Sequence, residues 1–188
     1  AGLLRTPKMV FFQNYNRYWE EVMKYERTDT IIEYAHKVIA QAKDSKAMKR
    51  FLIHNITERY LQSPYMGHDK IYVELIKAYY ETGIADWVSP SDMEKNIERV
   101  HKWENILLGK QVPDLACMDS ANVWHSTRDC NKDFKIILFW SPGCGHCSVE
   151  VPKYDKFYKE KKDIYSVEIF AINTESDLEA WKKFIKEK

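Results

Sequence analysis

Apolar positions recur at helical spacing through the first half of the chain and at strand spacing only later. Ile31, Tyr34, Ala35, Val38, Ile39 and Ala42 form one stripe. It predicts a helix capped by Asp29 and running to about Lys43. A second stripe, Met48, Phe51, Leu52, Ile56 and Tyr60, comes after Ser45 and stops near Ser63-Pro64, since the residue before a proline leaves the helical region. A third helix is predicted over 69–82, ended by Gly83. The fourth has Ser89 as its cap and Pro90 at its first position, where a missing N–H does no harm. It carries Met93, Ile97, Val100, Trp103 and Leu107. The aromatic segment ahead of Asp29 (Phe11, Phe12, Tyr15, Tyr18, Trp19) reads as helical too.

Beyond Gly109 the pattern shortens. Residues 114–118 and 122–127 read as a hairpin around Asp119-Ser120-Ala121-Asn122. Ile136-Ile137-Leu138-Phe139 is β-branched and aromatic, bounded by charge on one side and Pro-Gly on the other, so 135–140 reads as a buried strand. A helix comes next over 145–161, with Val149, Val151, Tyr154, Phe157 and Tyr158 mostly on one face. Pro152 lies inside it, removing one hydrogen bond and kinking it. A strand over 165–172 succeeds it, then a helix capped by Ser176 with Glu179 three residues on, a capping-box pattern. Strand, helix and strand of these lengths form a right-handed βαβ unit with parallel strands.

Chemistry concentrates at the junction of that strand and helix, in Trp140-Ser141-Pro142-Gly143-Cys144-Gly145-His146-Cys147. A Cys-x-x-Cys pair there sets its first sulfur beside the unpaired N–H groups and positive end of the helix. That placement lowers a thiol's pKa and makes it a nucleophile near neutral pH. His146 can add positive charge. Other uses of the pair fare worse. A structural zinc site needs two further ligands at matching spacing, and Cys117 and Cys130 form no second C-x-x-C. A c-type haem needs His directly after the second cysteine, where Ser148 stands. A peroxidatic Pro-x-x-x-Thr-x-x-Cys pattern is absent. An inert disulfide remains open, although so short a loop staples little. Cys117 and Cys130 are expected to be non-catalytic, with a bridge between them left open.

Composition changes this picture little. At 188 residues, 45% hydrophobic and 30% charged, the chain can bury a core and fits one or two domains. Its 29 basic and 28 acidic residues give a net charge of +1, so no field favours nucleic acid or an anionic membrane. No apolar run has the length of a membrane span. The Lys-rich stretch 159–162 reads as a solvated helix end. No fixed-length repeat occurs, which argues against a tetratricopeptide array. His36, His54, His68 and His101 are scattered and read as surface or satisfied core side chains.

Taken together, Gly109-Lys110-Gln111-Val112-Pro113-Asp114-Leu115 and the spacing of Phe139, Trp140, Cys144, Cys147, Glu150 and Pro152 carry a resemblance. From about residue 109 the chain resembles the TlpA/ResA-like branch of the thioredoxin superfamily, envelope proteins that exchange thiols and disulfides. The Gly145-His146 dipeptide departs from that branch and is the pair found in protein disulfide isomerases. This suggests a more oxidising couple, with the direction left open. Residues 1–108 more weakly resemble an all-helical module found ahead of some TlpA-like domains, through Arg5-Thr6-Pro7 and Tyr65-Met66-Gly67. The fold expected is therefore a two-part α+β chain. Residues 1–108 form an all-helical domain, and 109–188 an incomplete thioredoxin-like α/β domain.

The function expected is thiol–disulfide oxidoreduction on protein or peptide thiols. Cys144 is the attacking thiolate and Cys147 the resolving thiol. Glu150, matching a family acid, is a candidate proton acceptor, and Trp140, Pro142 and Gly143 shape the substrate rim. No cofactor is expected beyond the Cys144–Cys147 disulfide, and an upstream redox protein would restore it. The resemblance implies a bacterial periplasmic or envelope location. It also implies a cis-proline loop, two strands and a helix beyond residue 188. On that reading the chain is a fragment, strand 135–140 keeps an unpaired edge, and self-association through it is expected. The alternative is a partner-binding module whose redox half is inactive in this form.

Overall fold

Ser45 shows how the sequence punctuates the helical half. Its backbone is extended, and its Oγ accepts the Met48 N–H at 3.3 Å, satisfying one of the free donors of the helix it precedes. The computed structural model describes residues 7–187. Arg5 and Thr6 of the weaker resemblance lie outside the described residues. Two compact units divide between Pro113 and Asp114.

The first unit is all helical: α1 (Lys8–Arg17), α2 (Thr28–Ala40), α3 (Lys46–Leu61), α4 (Asp69–Leu75) and α5 (Pro90–Trp103). Wider π turns continue α1 through Tyr18–Val22 and α4 through Ile76–Tyr80. Ile31, Ala35 and Ile39 of α2, Ile53 and Ile56 of α3, Ile71, Tyr72 and Leu75 of α4, and Val100 of α5 close the core. Ser89 caps α5 as expected, accepting the Asp92 N–H at 3.1 Å, with Pro90 at the first position. Gly67 (φ 87°) and Gly83 (φ 75°) supply left-handed turns where a Cβ would strain the backbone.

Two helix ends differ from the sequence expectation. α2 starts at Thr28, so Asp29 lies inside its first turn. There it pairs with Lys70 Nζ at 2.7 Å instead of capping. α5 stops at Trp103 and gives way to turns, although Leu107 is buried. His36 and His68 are satisfied, bonding the Tyr79 hydroxyl at 2.7 Å and the Ser63 hydroxyl at 2.8 Å.

The second unit contains β1 (Ala116–Met118), β2 (Trp124–Ser126), β3 (Phe134–Trp140), α6 (Cys147–Lys161), β4 (Val167–Asn173) and α7 (Leu178–Glu187). β1 and β2 form an antiparallel hairpin pairing Cys117 with His125. Asp119 closes its turn by accepting the Ala121 and Val123 N–H groups at 2.9 Å, with Asn122 left-handed at φ 65°. β3 and β4 run parallel, from Phe134 opposite Val167 to Trp140 opposite Asn173, joined by α6 as the βαβ reading requires. β4 is the one strand paired with β3 among the described residues.

Burial here is shallow. Among the described residues of this unit, Thr127, Trp140 and Val167 alone are buried. The apolar face expected on α6 is largely solvated, with Val149 at 56%, Tyr154 at 39% and Phe157 at 41% exposure. A two-stranded sheet offers too little surface to cover it. The α7 cap is Asp177, whose Oδ1 accepts the Ala180 N–H at 3.0 Å, and not Ser176. The Asn173–Glu175 turn occupies the residues just before it and moves the helix start on by one position.

Candidate active site

Strand β3 delivers the site. Its last residue is Trp140, and after it comes a tight turn in which the Cys144 N–H bonds the Ser141 carbonyl at 3.2 Å. Helical hydrogen bonding then begins at once. The Ser148 N–H bonds the Cys144 carbonyl at 3.2 Å, and the Glu150 N–H bonds that of His146 at 3.0 Å. Cys144 thus stands at the tip of α6 and Cys147 at its first residue. Both are half-buried, free thiols.

The two sulfurs are not equivalent. Cys144 Sγ accepts the main-chain N–H of Cys147 at 3.3 Å. Its thiol is held below its ordinary pKa, first by a hydrogen bond from the Cys147 thiol and then by the Cys147 and His146 main-chain N–H groups. Partial desolvation and the negative charge of Glu175 oppose this. Cys147 moves the other way, because its thiol donates to Cys144. The opposite shifts favour the thiolate at Cys144 and the protonated thiol at Cys147.

The other expected site residues are placed differently. His146 is exposed and meets Cys144 through its main-chain N–H. Glu150 is exposed and bonds Lys153 Nζ at 2.6 Å. Pro142 is half-buried and Gly143 exposed, beside Cys144 in the turn. Trp140, expected at the rim, is only 4% exposed and packs on Phe184 of α7 with ring centroids 4.6 Å apart. As the last residue of a strand with α7 beside it, it belongs to the small core. A cleft of about 890 Å³ is lined by Trp140, Pro152, Phe170 and Trp181, and by Cys117 and Cys130, but by neither Cys144 nor Cys147. Cys117 and Cys130 are half-buried and unbridged. No cluster of three or more metal-ligating side chains occurs among the described residues.

Sequence reasoning missed Glu175. Its Oε1 would lie 3.2 Å from a Cβ built on Gly143, so the carboxylate rests against the residue before Cys144. The signal was topological: the loops leaving two paired parallel strands emerge side by side at the same end of the sheet. With Trp140 opposite Asn173, the residues after Asn173 face the Cys-x-x-Cys loop.

Residues 108–188 match the model of the AhpC/TSA family. A solved thioredoxin-like protein from Bacteroides caccae superposes with a TM-score of 0.73 at 15% identity, covering 100% of this chain and 67% of its own length. That likeness establishes the fold: helices leading into a thioredoxin-like domain. The thioredoxin domain of a thiol-disulfide oxidoreductase from Bacteroides vulgatus aligns at 31% identity with a TM-score of 0.37, over 40% of this chain and 53% of its own. No curated protein matches the sequence. No described helix is long and apolar enough to cross a membrane.

Proposed function

We propose that the chain is a TlpA/ResA-like thiol–disulfide oxidoreductase acting on protein or peptide thiols. The carrying observation is the unequal dithiol at the start of α6, where Cys144 is acidified by hydrogen bonds that Cys147 donates. The Cys144 thiolate attacks one sulfur of a partner disulfide; that S–S bond breaks, a mixed disulfide forms and the partner's other sulfur leaves as thiolate. Cys147, once deprotonated, attacks Cys144 Sγ and expels the partner's remaining thiolate. The partner gains two electrons and two protons, and the Cys144–Cys147 disulfide is left as the only redox group required. A redox partner protein reduces it again, or the whole sequence runs in reverse as oxidation. Glu150 serves as proton acceptor for Cys147 only when its pair with Lys153 opens. The family resemblance supports a periplasmic or envelope location.

Insulin reduction driven by dithiothreitol tests the reading. The full chain should accelerate precipitation of the insulin B chain, C144S should abolish this, and C147S should accumulate a mixed disulfide visible by intact mass. A folded, fully reduced chain with no effect on insulin would instead favour partner binding through the helical unit.

A further inference from the structure

The backbone of Glu175 is held beside the Cys-x-x-Cys loop by several hydrogen bonds. The Thr174 N–H and hydroxyl both donate to the Trp140 carbonyl, at 2.9 and 3.2 Å, tying the loop after β4 to the last residue of β3. The Asn173 side chain clasps Glu175 itself, donating to its carbonyl at 2.7 Å and accepting its N–H at 3.1 Å. The carboxylate so placed occupies the space that a side chain at position 143 would need, with Oε1 and Oε2 3.2 and 3.5 Å from the Cβ position. Gly143 is not among the left-handed glycines, so it is the absent side chain rather than the backbone that the site uses. No ion pair neutralises Glu175 among the described residues. Glu150, in the first turn of α6, is paired with Lys153. The other titratable groups at Cys144 are Cys147 and the exposed His146.

We propose that Glu175 is a positioning residue of the dithiol site: a negative charge seated against Gly143 that makes the site favour cationic over anionic disulfide partners. The inference rests on Cys144 being the attacking thiol, as proposed above. Its charge counters the hydrogen bonds that acidify Cys144, the direction found for this pair. A partner with basic groups flanking its disulfide would meet an attractive charge beside the attacked bond, and an acidic partner a repulsive one. Glu175 is exposed, so solvent and salt screen the effect to about two- to threefold per unit charge.

The test uses the reduced full chain and two small disulfides of opposite charge, cystamine and 3,3′-dithiodipropionate. In each exchange the Cys144 thiolate attacks one sulfur, the S–S bond breaks, and the released thiolate takes a proton from water. Cystamine should react faster with the native chain at low salt, and the rate ratio should collapse toward one at high salt. E175Q should lower that ratio by about two- to threefold and shift the pH profile of Cys144 alkylation to lower pH, with E175D close to native. G143A, whose methyl group displaces the carboxylate, should change both readouts in the same sense as E175Q. An E175Q ratio and pH profile equal to native at low salt would overturn the inference. A native chain in which Cys144 reacts no faster than Cys147 with either disulfide would overturn the underlying reading instead.

Discussion

A thiolate at a helix tip is stabilised by hydrogen bonds it does not have to recruit, and this asymmetry is readable one atom at a time. Cys144 receives the Cys147 N–H, while the hydrogen bond to Cys144 pushes the Cys147 thiol up. At pH 6, limiting iodoacetamide should therefore label Cys144 before Cys147, Cys117 and Cys130, as peptide mapping would show; equal labelling of all four would contradict it. Raising the pH should bring Cys147 in last of the pair. The cysteines were legible in the sequence because the spacing that makes the chemistry also makes the motif. Glu175 was not. Its neighbour Gly143 is distant in sequence, and only the parallel register of β3 and β4 brings the two loops together. Trp140 shows the converse failure: adjacency to the motif suggested a rim, but a strand's last residue turns toward whichever helix packs there, here α7.

At the scale of elements, helix and strand identities came from periodicity, whereas helix starts depended on which polar side chain won each cap. Ser45 and Ser89 were found because each stands directly before the first helical residue, which Pro90 marks in the second case. Ser176 and Asp177 compete side by side, and the preceding turn gives the cap to Asp177. Removing that cap by D177A should cost about 1 kcal/mol of α7 stability, with S176A near neutral, both measured by amide exchange in α7. His68, just before α4, offers a pH test. Its ring is buried against Tyr60 and Ser63, and burial lowers its pKa. The unfolded chain therefore binds the proton at higher pH than the folded one. The helical unit should lose stability as pH falls from about 6.5 through the folded value, with no such loss above it. Denaturant midpoints between pH 7.5 and 5 check this, and H68Q should flatten the slope; an unchanged slope would show that His68 is not responsible.

For the whole molecule, the difference in burial between the units sets expectations. The helical unit closes over Ile31, Ile53, Ile71 and Leu75, all fully buried, whereas α6 and α7 of the second unit contain no buried residue. Hydrogen exchange should accordingly be slowest in α2 to α4 and faster in β3 and β4; the reverse order would contradict this reading. I53A should cost about 2–5 kcal/mol in the unfolding of the helical unit, monitored by far-ultraviolet dichroism. The apolar run of β3 was legible as a strand, but the sequence overstated its burial, because burial depends on how many layers cover a strand and not on its own composition.

The central claim is that Cys144 and Cys147 form the working redox couple. Equilibration of the full chain with graded glutathione buffers, then acid quenching and peptide mass mapping, tests it most directly. The account predicts one two-electron transition, with the disulfide confined to the Cys144–Cys147 peptide and lost in C144S. A chain that gains no such disulfide across the series, or gains one only between Cys117 and Cys130, would contradict it.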